Sequence, residues 1–248
     1  RSPADVGTPP EVGWTGKIRM ASRGSFDPDL LKFLAELRTH NNRPWFEKNK
    51  ARYERVYKAA FASFVEEFAP HLARISPYLV ADPRPTGGSV MRIYRDTRFS
   101  KDKSPYRTYT VVHFGHRDGL EGRAPGLFLY VATDEISAGG GIWHPDSGTA
   151  QKIRSAIAQD PGRWLWAIGS PEFQNSFELT GDSLKRPPPG IPKDHPQIKD
   201  LVRKDFVAST KVSTREFLAS NFVTTYGGIA RGVSPMMRFL CDSVGLSF

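Results

Sequence analysis

Apolar residues in the first third of the chain recur at helical spacing. Asp27-Pro28 opens a helix, because Asp caps helix N-termini well and Pro is tolerated at the first helical position. Leu30, Leu31, Phe33, Leu34 and Leu37 give that helix a broad apolar face. After the turn His40-Asn41-Asn42-Arg43, Pro44 begins a longer helix to about Ala69. Its face reads Phe46, Tyr53, Tyr57, Phe61, Phe64 and Phe68, an aromatic stripe that belongs in a core. Pro70 and Pro77 weaken or end it, with room for one more turn through Ile75.

From Asp82 the period changes. Pro83, Pro85, Gly87 and Gly88 mark a loop, and Ser89 to Tyr94 alternates as a strand does. Tyr106 to Phe114 is β-rich, with Tyr109, Val111 and His113 on one face and Thr110, Val112 and Phe114 on the other. Leu127 to Thr133 reads as a buried strand, and Ile136 to Trp143 as its hairpin partner. Gly139, Gly140 and Gly141 weaken that partner but permit a close backbone approach. Helical patterns then return: after Pro145-Asp146 to about Ala158, from Pro161 through Trp164 and Ile168, over Pro196 to Lys204, at Thr214 to Ser220, and from Pro235 to Val244. Residues 177–180 and Phe206 to Val212 read as extended. Helices at both ends of a block of strands predict an α+β fold, with a mainly antiparallel sheet of about four or more strands.

Residues 1–25, with Pro3, Pro9, Pro10 and scattered glycines, carry little apolar periodicity and read as a flexible N-terminal extension. Met20 is an alternative start. The expected organisation is this extension followed by one α+β domain over residues 26–248. A chain of 248 residues buries a sizeable core without disulfides, and its single cysteine, Cys241, forms no intrachain disulfide. No apolar run approaches a membrane span and no signal-peptide core is visible, so a cytoplasmic protein with no membrane partner is expected.

Net charge is +9, which favours anionic partners. That charge is unevenly placed. Between Arg84 and Arg107 lie Arg84, Arg92, Arg95, Arg98, Lys101, Lys103 and Arg107, against Asp96 and Asp102 alone. Arg grips phosphate or carboxylate at two points, whereas Lys acts as a compact charge. Tyr94, Ser100, Ser104 and Tyr106 add hydroxyl groups. The segment therefore reads either as an anion-binding loop or as a salt-bridged loop in which Asp96 and Asp102 neutralise Arg95, Arg98 or Lys103. A second basic stretch, Lys185-Arg186, precedes three prolines that hold the backbone extended and present both cations.

Other chemistry is thin. The glycine spacing and Lys-Ser/Thr of a phosphate-binding P-loop are missing, and Gly139-Gly140-Gly141 is no dinucleotide fingerprint. His113 and His116 stand three apart, with His144 beside Asp146 as a distant third member, but the spacing does not make a metal site. Neither a metal nor a cofactor is expected. Cys241 sits in an apolar helical pattern and reads as core.

The string Asn41-Asn42-Arg43-Pro44-Trp45-Phe46, then Tyr53, then Arg95-Asp96-Thr97-Arg98-Phe99-Ser100-Lys101-Asp102-Lys103-Ser104-Pro105-Tyr106, resembles a widespread microbial family, domain of unknown function 2461. Ala124-Pro125-Gly126, Gly139 to Pro145 and Leu184-Lys185-Arg186-Pro187 strengthen the match, which runs from about Phe26 to the C-terminus. The resemblance implies a single α+β domain and supplies no activity, cofactor or catalytic residue. It also implies that the Arg95–Tyr106 loop, the Gly140–Pro145 turn and Lys185-Arg186 form one feature, with Trp143 as an apolar wall.

The expected ligand-binding set is thus Arg92, Arg95, Asp96, Arg98, Lys101, Lys103, Tyr106, Arg107, Trp143, Lys185 and Arg186. Its first reading is a basic cleft for a phosphorylated or carboxylated small ligand, with Asp96 as the acid or base of any chemistry. The alternatives are a nucleic-acid or protein interaction face, and a salt-bridged structural loop without a ligand.

Overall fold

A computed structural model describes residues 26–119 and 123–248. The expected N-terminal extension lies outside the described residues. Helix α1 (Pro28–Thr39) starts as its sequence dictates: the Asp27 side chain accepts the Asp29 N–H at 2.8 Å, and Leu30, Phe33, Leu34 and Leu37 are buried. Asn42 caps α2 (Arg43–Lys48) in the same way, accepting the Trp45 N–H.

The long helix expected from Pro44 is broken into pieces. Asn49 separates α2 from α3 (Lys50–Tyr53), its side chain donating to the same Trp45 carbonyl that its backbone N–H reaches. A π-helical segment follows (Glu54–Ala59), then α4 (Ala60–Ile75). The wider π turn suits the sequence: Tyr53, Tyr57 and Phe61 recur at steps of four and form one row of tilted and edge-on contacts, each neighbouring pair 5.1 Å apart between ring centroids. Helix α4 runs through Pro70 to Ile75, held by Phe61, Phe64, Val65, Phe68 and Leu72, all buried.

The sheet has five antiparallel strands in the order β1-β2-β3-β5-β4. Strands β1 (Tyr109–Phe114), β2 (Gly126–Ala132) and β3 (Ile136–Ile142) form the expected meander. Helices α5 (Ser147–Gln159), α6 (Pro161–Ile168) and α7 (Pro171–Ser176) lead to β4 (Glu178–Thr180). After α8 (Ile198–Leu201), β5 (Phe206–Lys211) inserts between β3 and β4. Ser89–Tyr94, expected to be a strand, makes only isolated bridges, Val90 to Val112 and Tyr94 to Tyr106, beyond the β1 edge. Between and beside them, the Met91 N–H still reaches the Val111 carbonyl and the Arg107 N–H the Ile93 carbonyl, so the segment lies along β1 with a discontinuous ladder.

Following α9 (Thr214–Phe217), α10 (Phe222–Val244) packs on β3. It is far longer than the terminal helix expected from Pro235. It passes through that proline because Phe222, Tyr226, Ala230, Val233 and Met236 bury a continuous face, and core packing outweighs one lost ladder bond. Phe114, Leu127, Leu129, Ala138, Phe206 and Ala208 form the helix-facing side of the sheet and are fully buried. Gly141 is required twice over: its φ is +142°, and a Cβ would lie 2.1 Å from the Phe206 carbonyl oxygen of β5. No helix among the described residues is long and apolar enough to cross a membrane.

The register defines the two ends of the sheet. Tyr109 of β1, the β2–β3 turn and Lys211 of β5 share one end; Phe114, Gly126, Ile142 and Phe206 share the other.

Candidate functional site

The basic loop 95–105 projects from the Tyr109 end, just outside β1. Its charges are largely paired within itself. Arg95 pairs with Asp102 and also donates to Ser100 Oγ. Arg98 grips Asp96 through Nε and Nη2, the latter at 2.6 Å, while the Arg98 N–H reaches the same carboxylate. Lys103 Nζ donates to the Thr97 carbonyl at 2.9 Å, and Arg107 to the Tyr94 carbonyl at 2.6 Å. The Ser104 hydroxyl and amide, with Arg95, hold the Asp102 carboxyl well below the usual carboxylate range. Arg92 and Lys101 make no side-chain hydrogen bond or ion pair among the described residues.

Tyr106 turns inward. It is buried, its ring stacks on Phe46 at 4.0 Å, and its backbone exchanges two hydrogen bonds with the Asn41 side chain, at 2.9 and 3.0 Å. The Asn-Asn-Arg-Pro-Trp-Phe string and the basic string therefore meet at Tyr106.

Trp143, Lys185 and Arg186 lie elsewhere. Trp143 leaves β3 at the Phe206 end. Residues 182–184 run beside 202–204, with Leu184 N–H on the Val202 carbonyl and Lys204 N–H on the Asp182 carbonyl, so Lys185-Arg186 starts from that same end. At about 3.3 Å per residue and about 4.8 Å per strand, a six-residue strand and three strand spacings separate the two corners by roughly 25 Å. The basic loop does not join Trp143 and Lys185-Arg186 in one cleft.

A different pair organises the Trp143 corner. Asp205 is fully buried. Its Oδ1 accepts the His144 backbone N–H at 2.8 Å and lies 3.0 Å from His144 Nδ1, and its Oδ2 accepts the Asp182 N–H at 2.9 Å. One carboxylate thus ties the exit of β3, the turn after β4 and the entry to β5. A carboxylate at Nδ1 selects the tautomer with hydrogen there, leaving Nε2 on the far side of the ring. The His144 side chain is 65% exposed, and its ring lies 4.9 Å from that of Trp143, itself exposed. His144 has φ +46°, the left-handed region, and is the one non-glycine residue with positive φ among the described residues.

The segment carrying Asp205 is braced from behind. Buried Arg154 of α5 donates to the Leu201 and Arg203 carbonyls at 3.0 and 2.6 Å, and burial pushes its guanidinium pKa down. Trp164 Nε1 donates to Asp200 at 2.9 Å, and Arg203 pairs with the same carboxylate. Asp146, the sequence neighbour of His144, is otherwise engaged: it caps α5 through the Thr149 N–H and pairs with Arg123 at 2.8 Å. His116 is buried, bonded to the Ser247 carbonyl and stacked on Tyr78. Of the other histidines considered with His144 from their spacing, His116 is thus engaged by the C-terminal segment, and His113 packs over Gly126 of β2.

Sequence reasoning missed Asp205 because its partner lies 61 residues away. The available signal was a non-glycine residue directly after a glycine-rich strand and an exposed Trp.

A family model described as conserved hypothetical protein (DUF2461) matches residues 29–239. The chain belongs to this family. The match to DUF2461 spans both corners, the Asn41–Tyr106 contact at one end of the sheet and the His144–Asp205 pair at the other. Comparison with curated proteins and with solved structures finds no match.

Proposed function

We propose that the protein binds a small phosphorylated or carboxylated ligand at the Trp143–His144 corner. The observation that carries this reading is the buried Asp205 carboxylate holding an exposed imidazole in a left-handed backbone beside an exposed indole. A surface turn gains nothing from such an arrangement unless the ring is needed in one orientation, since non-glycine residues resist positive φ. His144 Nε2 meets the anion, Lys185 and Arg186 add positive charge from the same end of the sheet, and Trp143 supplies an apolar wall. Any proton transfer falls to His144, because the exposed Asp96 is engaged by Arg98. The proposed setting is the cell interior, where Cys241 stays reduced.

The test is nuclear magnetic resonance titration of the full chain with inorganic phosphate, pyrophosphate and acetate. The His144 ring and Trp143 indole resonances shift saturably with at least one of these probes, and the shifts weaken in Lys185→Ala/Arg186→Ala. The same titration of Arg95→Ala is unchanged. Shifts that vanish in Arg95→Ala, or no saturable response at His144 with any probe, would sink the reading.

A further inference from the structure

The basic loop at the other corner has a separate property. Phe99 at its tip is 95% exposed, and Tyr94 at its base is 47% exposed. The bonds within the loop bury neither ring. Asp96 closes a turn on Arg98, Asp102 closes another on Ser104, Arg95 ties the two arms, and Lys103 anchors the carbonyl of Thr97. A loop this internally bonded around a bare aromatic holds that aromatic out. The Arg98 guanidinium carbon lies 5.8 Å from the Phe99 ring centroid, a cation alongside the ring. Tyr94 packs edge-on against Phe46, 5.8 Å away, so its ring is fixed while its outer part stays open. Arg92, Arg98, Lys101 and Lys103 are interleaved with these two rings and exposed.

We propose that the loop is a binding surface for single-stranded nucleic acid, with unstacked bases on Phe99 and Tyr94 and phosphates on the cations between them. Two separate aromatic platforms set among cations match a polymer that alternates flat bases with charges. A duplex offers no free base faces, and the loop has no helix or ribbon to enter a major groove. An anionic membrane fits less well: the tip carries one apolar side chain between Arg98 and Ser100, and Tyr94 is fixed against the core, leaving little to insert. The inference does not rest on the ligand reading at the opposite corner.

The experiment is fluorescence anisotropy of the full chain with labelled dT20 and rU20, from low to physiological salt, alongside flotation with phosphatidylserine vesicles. Phe99→Ala should weaken oligonucleotide binding about tenfold, or about 1.4 kcal/mol. Its thermal midpoint should not move, because the ring buries nothing. Each phosphate contact contributes about −0.7 to the slope of log K against log salt, so Arg92→Ala/Lys101→Ala should flatten it by about 1.4. Lys204→Ala, at the opposite end of the sheet, should leave both unchanged. The proposal is overturned by undetectable oligonucleotide binding at low salt, by an unaltered affinity in Phe99→Ala, by equal competition from duplex, or by Phe99-dependent flotation without oligonucleotide binding.

Discussion

Asp205 accepts the backbone N–H of His144 at 2.8 Å while its same oxygen lies 3.0 Å from that residue's Nδ1. Main chain and side chain of one residue are thereby fixed by one buried oxygen. The second oxygen takes the Asp182 N–H, so both oxygens of the carboxylate are engaged. Three chain segments converge on it, and the local geometry of the whole corner depends on its charge.

Removing that carboxylate should be costly. Asp205→Ala leaves the His144 and Asp182 N–H groups without their buried acceptor, and should lower unfolding free energy by about 1–3 kcal/mol. Asp205→Asn keeps one acceptor but turns an amide toward the Asp182 N–H, so a smaller loss is expected. Urea unfolding of both variants measures this. An Asp205→Ala variant within ~0.5 kcal/mol of the parent would show that the two amides find other partners.

The left-handed backbone at His144 yields a second expectation. Holding a non-glycine residue there costs about 1–2 kcal/mol, which glycine does not incur. His144→Gly should therefore be more stable than His144→Ala by about 1 kcal/mol, although both lose the imidazole contact. Equal midpoints for the two variants in thermal or urea unfolding would mean that the turn relaxes out of the left-handed region once the ring is gone. The same two variants, titrated with phosphate, separate backbone strain from the imidazole itself.

These relationships differ in how far the chain discloses them. Asp27, Asn42 and Asp146 announce helix starts because a cap and its amide partner sit two or three residues apart. The pairs Asp96–Arg98 and Asp102–Ser104 are legible for the same reason, and so was the option of a salt-bridged loop. The meander β1–β3 follows from short turns between alternating segments. The insertion of β5 beside β3 does not: that pairing joins Ile142 to Phe206 across helices α5 to α8, strand β4 and an extended basic segment. The Asp205–His144 contact follows from that one non-local choice, whereas the separation of the basic loop from Trp143 is already set by the β1–β3 meander. The length of α10 was hidden by Gly227, Gly228 and Pro235, breakers by propensity that a buried face overrides.

Asn41 offers a third test, at the other corner. Its amide meets both the N–H and the carbonyl of Tyr106, at 3.0 and 2.9 Å, closing the base of the basic loop onto the start of α2. Asn41→Ala should cost about 1–2 kcal/mol and speed hydrogen exchange at Tyr106 more than in the sheet centre. Asn41→Asp keeps the acceptor for the Tyr106 N–H and places a charge against the carbonyl, so it should recover little. Unchanged exchange at Tyr106 in Asn41→Ala would mean that the Phe46–Tyr106 stack alone closes the loop.

The network around Arg52 carries a pH dependence of definite sign. Arg52 Nη2 lies 2.6 Å from Asp29 and Nη1 2.7 Å from Glu36, joining α1 to α3, and Arg55 adds a contact to Asp29 at 3.2 Å. The hydrogen bond from Arg52 is the largest cause holding the Asp29 carboxyl below its ordinary value, and burial opposes it. A carboxylate whose folded-state pKa is depressed binds fewer protons folded than unfolded. Its stabilisation is therefore fully present above the unfolded value of about 3.9 and is lost as pH falls through the lower folded value. Asp29→Asn should be less stable than the parent by about 1 kcal/mol at neutral pH, since the pair is partly exposed. That difference should shrink as pH falls below the unfolded value of about 3.9 and close only once the parent's own carboxyl is protonated, below its depressed folded value. Urea unfolding of parent and variant across this range checks the sign directly. A gap that persists undiminished in acid would assign the loss to altered packing or capping at the start of α1, because a charge-based contribution has to titrate away.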